Sequence, residues 1–237
     1  MRGGAVWSSD ALWNGVTLLN DAAVGVYGMI LSAAFCGITW TKGKKWVYGL
    51  SMAAILLAQA AVYGMTTDLQ LLKLLYPLVT HMPLVLVLAI LERKLLWPTI
   101  SVLTAYLCCQ LRRWAALLVI ALFPTGGTAL QDATELVVTL PLLLALVHWI
   151  APSVRALSHS SLKLQLQFGV IPLLSYVFDY FTRIYTDLLS SGNQAAVEFM
   201  PFVCSLAYLV FVLQTTQEQK LRSQLEQTQN SLNLQVA

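Results

Sequence analysis

Five charged side chains stand inside runs that are otherwise apolar: Asp21, Arg112, Arg113, Asp179 and Arg183. A lone charge at membrane depth is costly, so such residues face the interior of a helix bundle or a wet cavity and find partners there. Asp179 and Arg183 are four apart in FDYFTRIYTD, which puts them on one helical face within pairing reach. Tyr176, Phe178, Tyr180, Phe181 and Tyr185 surround them. Two readings follow: a structural ion pair in an aromatic belt near the outer boundary, or an outward ligand pocket built from this face and from Arg112-Arg113.

The other reactive residue types are sparse. His81 lies in YPLVTHMP, between Pro77 and Pro83, where a bent backbone could form a polar cleft. It reads either as a bundle-facing histidine bonded to a neighbouring carbonyl or as a ligand contact. His148 at a helix end and His159 in a loop read as interfacial. No histidine has a partner at metal-ligand or catalytic spacing, so neither a metal site nor a catalytic residue is expected. Cys36, Cys108, Cys109 and Cys204 lie in apolar runs and read as small packing residues; for the vicinal pair Cys108-Cys109, a redox or acylation role is weighed against an inert thiol at lipid depth. Pro124-Thr125-Gly126-Gly127 has neither the preceding strand nor the lysine of a phosphate-binding loop, and reads as an external turn.

The elements that position these residues follow from composition. The 237 residues are 58% hydrophobic and 11% charged, with a mean hydropathy of +0.70, against roughly 45–50% and about 25% in a soluble domain. A water-soluble fold could not hide that surface. The expected fold is an all-α integral membrane protein of about seven transmembrane helices, and the lipid bilayer is its first partner. Each span needs about 20 mostly apolar residues. The candidates are Val16–Trp40, Trp46–Met65, Leu71–Leu91, Pro98–Phe123, Thr134–Ile150, Leu164–Tyr185 and Val197–Leu213. The fourth, interrupted by Arg112-Arg113, is either one tilted helix or a short span plus a re-entrant piece. The N-terminus lacks a basic stretch leading into a short apolar core, so the first helix is expected to insert and stay.

Loop charges test that list independently, because Lys and Arg collect on the cytoplasmic side of short loops. Lys42, Lys44 and Lys45 follow the first span, Arg93 and Lys94 the third, Arg155 and Lys163 the fifth, and Lys220 and Arg222 the seventh. The intervening segments carry Asp68, then Asp132 and Glu135, then Asp187 and Glu198. Lys73 is the exception and can snorkel to the interface. The alternation requires an odd number of crossings, with the N-terminus outside and the C-terminus cytoplasmic in a multi-pass cell-membrane protein. The net charge of +3 reflects internal loops rather than a basic stripe, so no nucleic-acid partner is expected.

After Leu213 the chain turns polar, in QTTQEQKLRSQLEQTQNSLNLQVA. Leu221, Leu225, Thr228 and Leu232 are spaced as the seam of a coiled coil. The chain therefore divides into a transmembrane domain, residues 1–213, and a cytoplasmic coiled-coil-like signalling and dimerisation helix, residues 214–237. With no glycine or proline after Pro201, the last span should run into that seam without a break, and the seam predicts a homodimer.

The segments LYPLVTHMPLVLVL, SVLTAYLCCQLRRW, ATELVVTLPLLL and FDYFTRIYTDLLSSGNQAAVEFMPFVC, with the tail QLEQTQNSLNLQ, resemble the N-terminal membrane sensor of bacterial GHKL-type sensor histidine kinases, the group of peptide-pheromone receptor kinases in quorum sensing. The resemblance covers the chain from about Leu71 onward. It implies a sensor module that passes an external signal, carried by a peptide or small-molecule ligand, to a cytoplasmic kinase. In that family a phosphoacceptor histidine and an ATP-binding domain follow the last span. No histidine occurs after His159, so no phosphoacceptor is carried over to any position here. No cofactor is expected within these residues, ATP and Mg belonging to a kinase domain that would follow. The rival reading, from another class, is a small transporter or channel using Arg112, Arg113, Asp179 and Arg183 as a polar path; the matched broken helices that would favour it are not found. An intramembrane enzyme lacks any paired carboxylate or histidine motif.

Overall fold

A computed structural model describes residues 9–66, 69–123, 127–185 and 194–236, and every element among them is helical. The elements are α1 (Ser9–Cys36), α2 (Lys42–Met65), α3 (Leu69–Tyr76), α4 (Met82–Glu92), α5 (Leu96–Leu122), α6 (Gly127–Ala145), α7 (Ala151–Leu157), α8 (Leu162–Tyr185) and α9 (Gln194–Val236). A π turn, Pro77–His81, joins α3 to α4, and a second, Leu146–Ile150, joins α6 to α7. The described helices thus form seven rods: α1, α2, α3–α4, α5, α6–α7, α8 and α9.

Both π turns have the same local cause. Pro83 and Pro152 follow them, and a proline ring clashes with the carbonyl four residues earlier, which is Val79 in one case and His148 in the other. A turn widened at that place relieves the clash. The Met82 N–H bonds to the Pro77 carbonyl and the Ala151 N–H to the Leu146 carbonyl, each one residue longer than the α-helical bond.

Among the described residues, five segments are long and apolar enough to cross a membrane: Gly15–Cys36, Lys42–Met65, Leu74–Glu92, Leu96–Leu122 and Leu130–Leu157. Their outward faces stay apolar, with Leu57, Ile90, Leu122 and Val137 all more than 70% exposed. Water would penalise such a surface and hydrocarbon would not. The Arg112-Arg113 segment is one uninterrupted helix, α5, with no re-entrant piece.

α5 is the axis, touching α1, α4, α6, α8 and α9. Its buried face alternates large residues (Trp97, Ile100, Leu107) with small ones (Ser101, Thr104, Ala105, Cys108), which lets neighbours approach closely. Side-chain donors clasp the backbones of adjacent rods: Tyr27 to the Cys108 carbonyl (3.3 Å), Ser205 to the Leu107 carbonyl (2.9 Å), Tyr48 to the Met29 carbonyl (2.6 Å) and Trp97 to the Phe35 carbonyl (3.2 Å).

Contacts fix which rod ends meet. At one end Lys44 pairs with Glu92 (3.1 Å), and Thr41 caps α2 through the Lys44 N–H. Gly37, whose φ of +76° glycine adopts without strain, closes α1 beneath the Arg155 side chain, and Gln165 bonds to the Ser158 and Ser160 carbonyls. The residues meeting at the other end include Asn20, Tyr63, Tyr76, Arg112, Asp132 and Tyr176. α9 runs unbroken from Gln194 to Val236, through the expected boundary at Leu213–Gln214. Leu221, Leu225 and Leu232 are exposed on it.

Candidate functional site

The second end holds a half-open cavity of about 450 Å³. Its floor is a polar scaffold joining α1, α5 and α6. Arg112, buried on α5, donates to the Glu135 carboxylate (2.9 Å) and to the Thr139 hydroxyl (2.7 Å). Glu135 also accepts from Gln131 (3.2 Å) and Asn20 (3.1 Å). The Asn20 amide reaches Asp132 as well (3.2 Å), and Thr17 donates to the same carboxylate (2.7 Å).

This corrects the placement of Glu135 and Asp132 as acids of an external loop. α6 begins at Gly127, so both lie inside a helix. Glu135 is 7% exposed and neutralises the arginine that the sequence left at membrane depth. An ion buried on α5 has to be matched from the next rod, and the helical register of α6 supplies the match.

The walls are aromatic. Tyr76, His81, Tyr106 and Tyr176 meet edge to face, with ring centroids 4.8–5.4 Å apart, and Tyr180 stacks parallel to Tyr176 at 6.4 Å. Tyr63 of α2 completes the lining. The π turn brings His81 into this cluster, where Nδ1 meets the Tyr176 hydroxyl at 2.9 Å. Its partner is thus a phenol on α8 rather than the backbone carbonyl expected. Gln59 reaches Thr80 on the same turn (2.7 Å).

Of the residues singled out from sequence, Arg112, Arg113 and His81 line the cavity together. Asp179 is buried beside it and accepts hydrogen bonds from the Tyr106 hydroxyl and from Gln110 (3.5 Å). The Arg183 side chain, and with it the expected Asp179–Arg183 pair, lies outside the described residues. Leu221, Leu225 and Leu232 lie far along α9, away from the site. Sequence reading missed Asn20, Gln110, Tyr63, Tyr76 and Tyr106 and left Asp21 only as a charge in an apolar run. Tyrosines spread over four rods carry no spacing that could have grouped them.

Among the described residues no group of three His, Cys, Asp or Glu side chains could hold a metal ion. The site instead offers carboxylate and amide acceptors beside a wall of rings, an arrangement suited to holding a small polar molecule. A scan against protein-family models, a search of curated proteins and a search of solved structures found no match to this chain.

Proposed function

We propose that the chain is a membrane receptor module that takes a ligand in the cavity and passes the change to its C-terminal helix. In this reading all seven rods cross the bilayer, α8 and α9 included, with the N-terminus and the cavity outside and the lysine-rich end cytoplasmic. The cavity itself carries the proposal: it is polar, aromatic and half-open, and six rods contribute side chains to it. Its size falls in the range of about 300–1,000 Å³ usual for ligand sites.

The route to the output is short. One turn below Arg112, α5 is gripped on both sides, by Tyr27 of α1 at the Cys108 carbonyl and by Ser205 of α9 at the Leu107 carbonyl. Thr104 and Tyr208 add a third bond between α5 and α9 (3.2 Å). A ligand that favours one packing of α1 against α5 therefore also biases α9. With no break in α9, a shift at Ser205 reaches Leu225. The exposed leucine seam fits a parallel homodimer, and the resemblance to sensor kinases makes a phosphotransfer domain joined to this helix the natural output. Below the cavity, the fully buried Phe35, Val154, Leu157 and Phe168 fill the bundle. That packing favours a receptor over a channel or transporter.

Cys109 lines the cavity. With the other cysteines replaced, benzyl methanethiosulfonate on Cys109 should alter photo-crosslinking by a benzoylphenylalanine introduced at Leu225, measured against one at Gln227. Unchanged crosslinking, or tracer flux through reconstituted protein, contradicts the receptor reading.

A further inference from the structure

The ligand's chemical class can be argued from the cavity's unbalanced groups. We propose that it is a small organic cation, an amine or quaternary ammonium, with Asp21 as counter-ion; this rests on the cavity being the receptor's ligand site.

Charge comes first. Asp21, Asp132 and Glu135 line the cavity against Arg112 and Arg113, so acids outnumber bases. Arg112 is committed to Glu135. Asp132 is held by the neutral donors Thr17 and Asn20. Asp21 makes no hydrogen bond or ion pair among the described residues and faces open space. The charges acting on it are those of Asp132, Glu135 and Arg112. An anion entering here would meet carboxylates whose nearest arginine is already engaged.

An independent observation points the same way. Asn20 is 5% exposed, and its amide nitrogen is committed to two carboxylates that can only accept. Its Oδ1 is therefore turned from both, buried and without a donor. A buried acceptor left unmatched is costly; Asn20 lines the cavity, so a small shift of its amide would offer Oδ1 to an ammonium N–H, a donor of the right kind. The tyrosine and histidine rings line the cavity, and aromatic π systems attract cations most strongly when water is excluded.

The test is calorimetric titration of the purified full chain with benzyltrimethylammonium and benzylammonium, with benzyl alcohol and phenylacetate as neutral and anionic counterparts. Both cations should saturate and slow maleimide modification of Cys109, benzylammonium the more tightly because it can donate to Asn20. Asp21→Asn should weaken both by about fivefold, the upper end for a half-exposed ion pair, and Asp21→Glu should restore most of it. Phenylacetate binding tighter than the cations, or cation affinity unmoved in Asp21→Asn, overturns the cation assignment while the Cys109 adduct experiment leaves the receptor reading standing. Absence of saturable binding by the two cations likewise overturns the cation assignment, and the receptor reading is then decided by the Cys109 adduct experiment alone.

Discussion

The bundle has an ion pair at each end, and their surroundings differ. Lys44–Glu92 joins the start of α2 to the end of α4 with both side chains about a quarter exposed; Arg112–Glu135 joins α5 to α6 with side chains 4% and 10% exposed. An exposed pair loses little when broken because water and salt replace the partner. A buried pair leaves a charge with nothing to answer it. The end that closes the bundle is thus electrostatically forgiving, whereas the end that opens a cavity is held by a connected network in which each group depends on the next. An open site needs that network, because a cavity removes the packing that fixes side chains elsewhere.

The largest effect should come from breaking the buried pair. Glu135→Leu should destabilise the protein by about 3–5 kcal/mol in reversible unfolding, and the Arg112→Met/Glu135→Leu double exchange should recover most of that. Equal losses in single and double variants would show that the two charges are not coupled. Next in size, Asn20→Leu removes the bridge between Asp132 and Glu135 and should cost about 1–3 kcal/mol in the same assay. At the aromatic wall, His81→Phe keeps the ring and deletes the bond to Tyr176, and about 1 kcal/mol is expected. Lys44→Ala should be smallest, between about 0 and 1 kcal/mol and shrinking further in high salt. A Lys44 effect as large as that of Glu135 would erase the contrast between the two ends.

Much of the architecture was legible in the sequence because solvent dictates it. Apolar runs near span length became rods, and Lys44 with Arg155 at one end against Asp132 at the other marked which ends meet. Arg112 announced itself as a charge that had to be answered. Its answer, Glu135, was misread because Pro124-Thr125-Gly126-Gly127 reads as a turn, and an acid near a turn resembles a loop acid. The π turns were half legible: Pro77 and Pro83 promised a distortion around His81, but not that a widened turn would aim the ring at Tyr176. Asn20 was invisible, since one amide in an apolar run carries no periodic signal and its role exists only once α1 and α6 touch. The tyrosines of the wall, Tyr63 to Tyr180, are separated by up to 117 positions, and only packing around α5 brings them together.

One end of the bundle is open and the other closed, and two native cysteines report on the difference. Cys109 lines the cavity, while Cys36 is buried at the end of α1, near the lysine-rich face. In single-cysteine proteins held in open membrane sheets, so that both faces are reachable, a membrane-impermeant thiol reagent should modify Cys109 and spare Cys36. Modification of Cys36 as fast as Cys109 would mean that the lysine-rich end is open as well and would contradict the account.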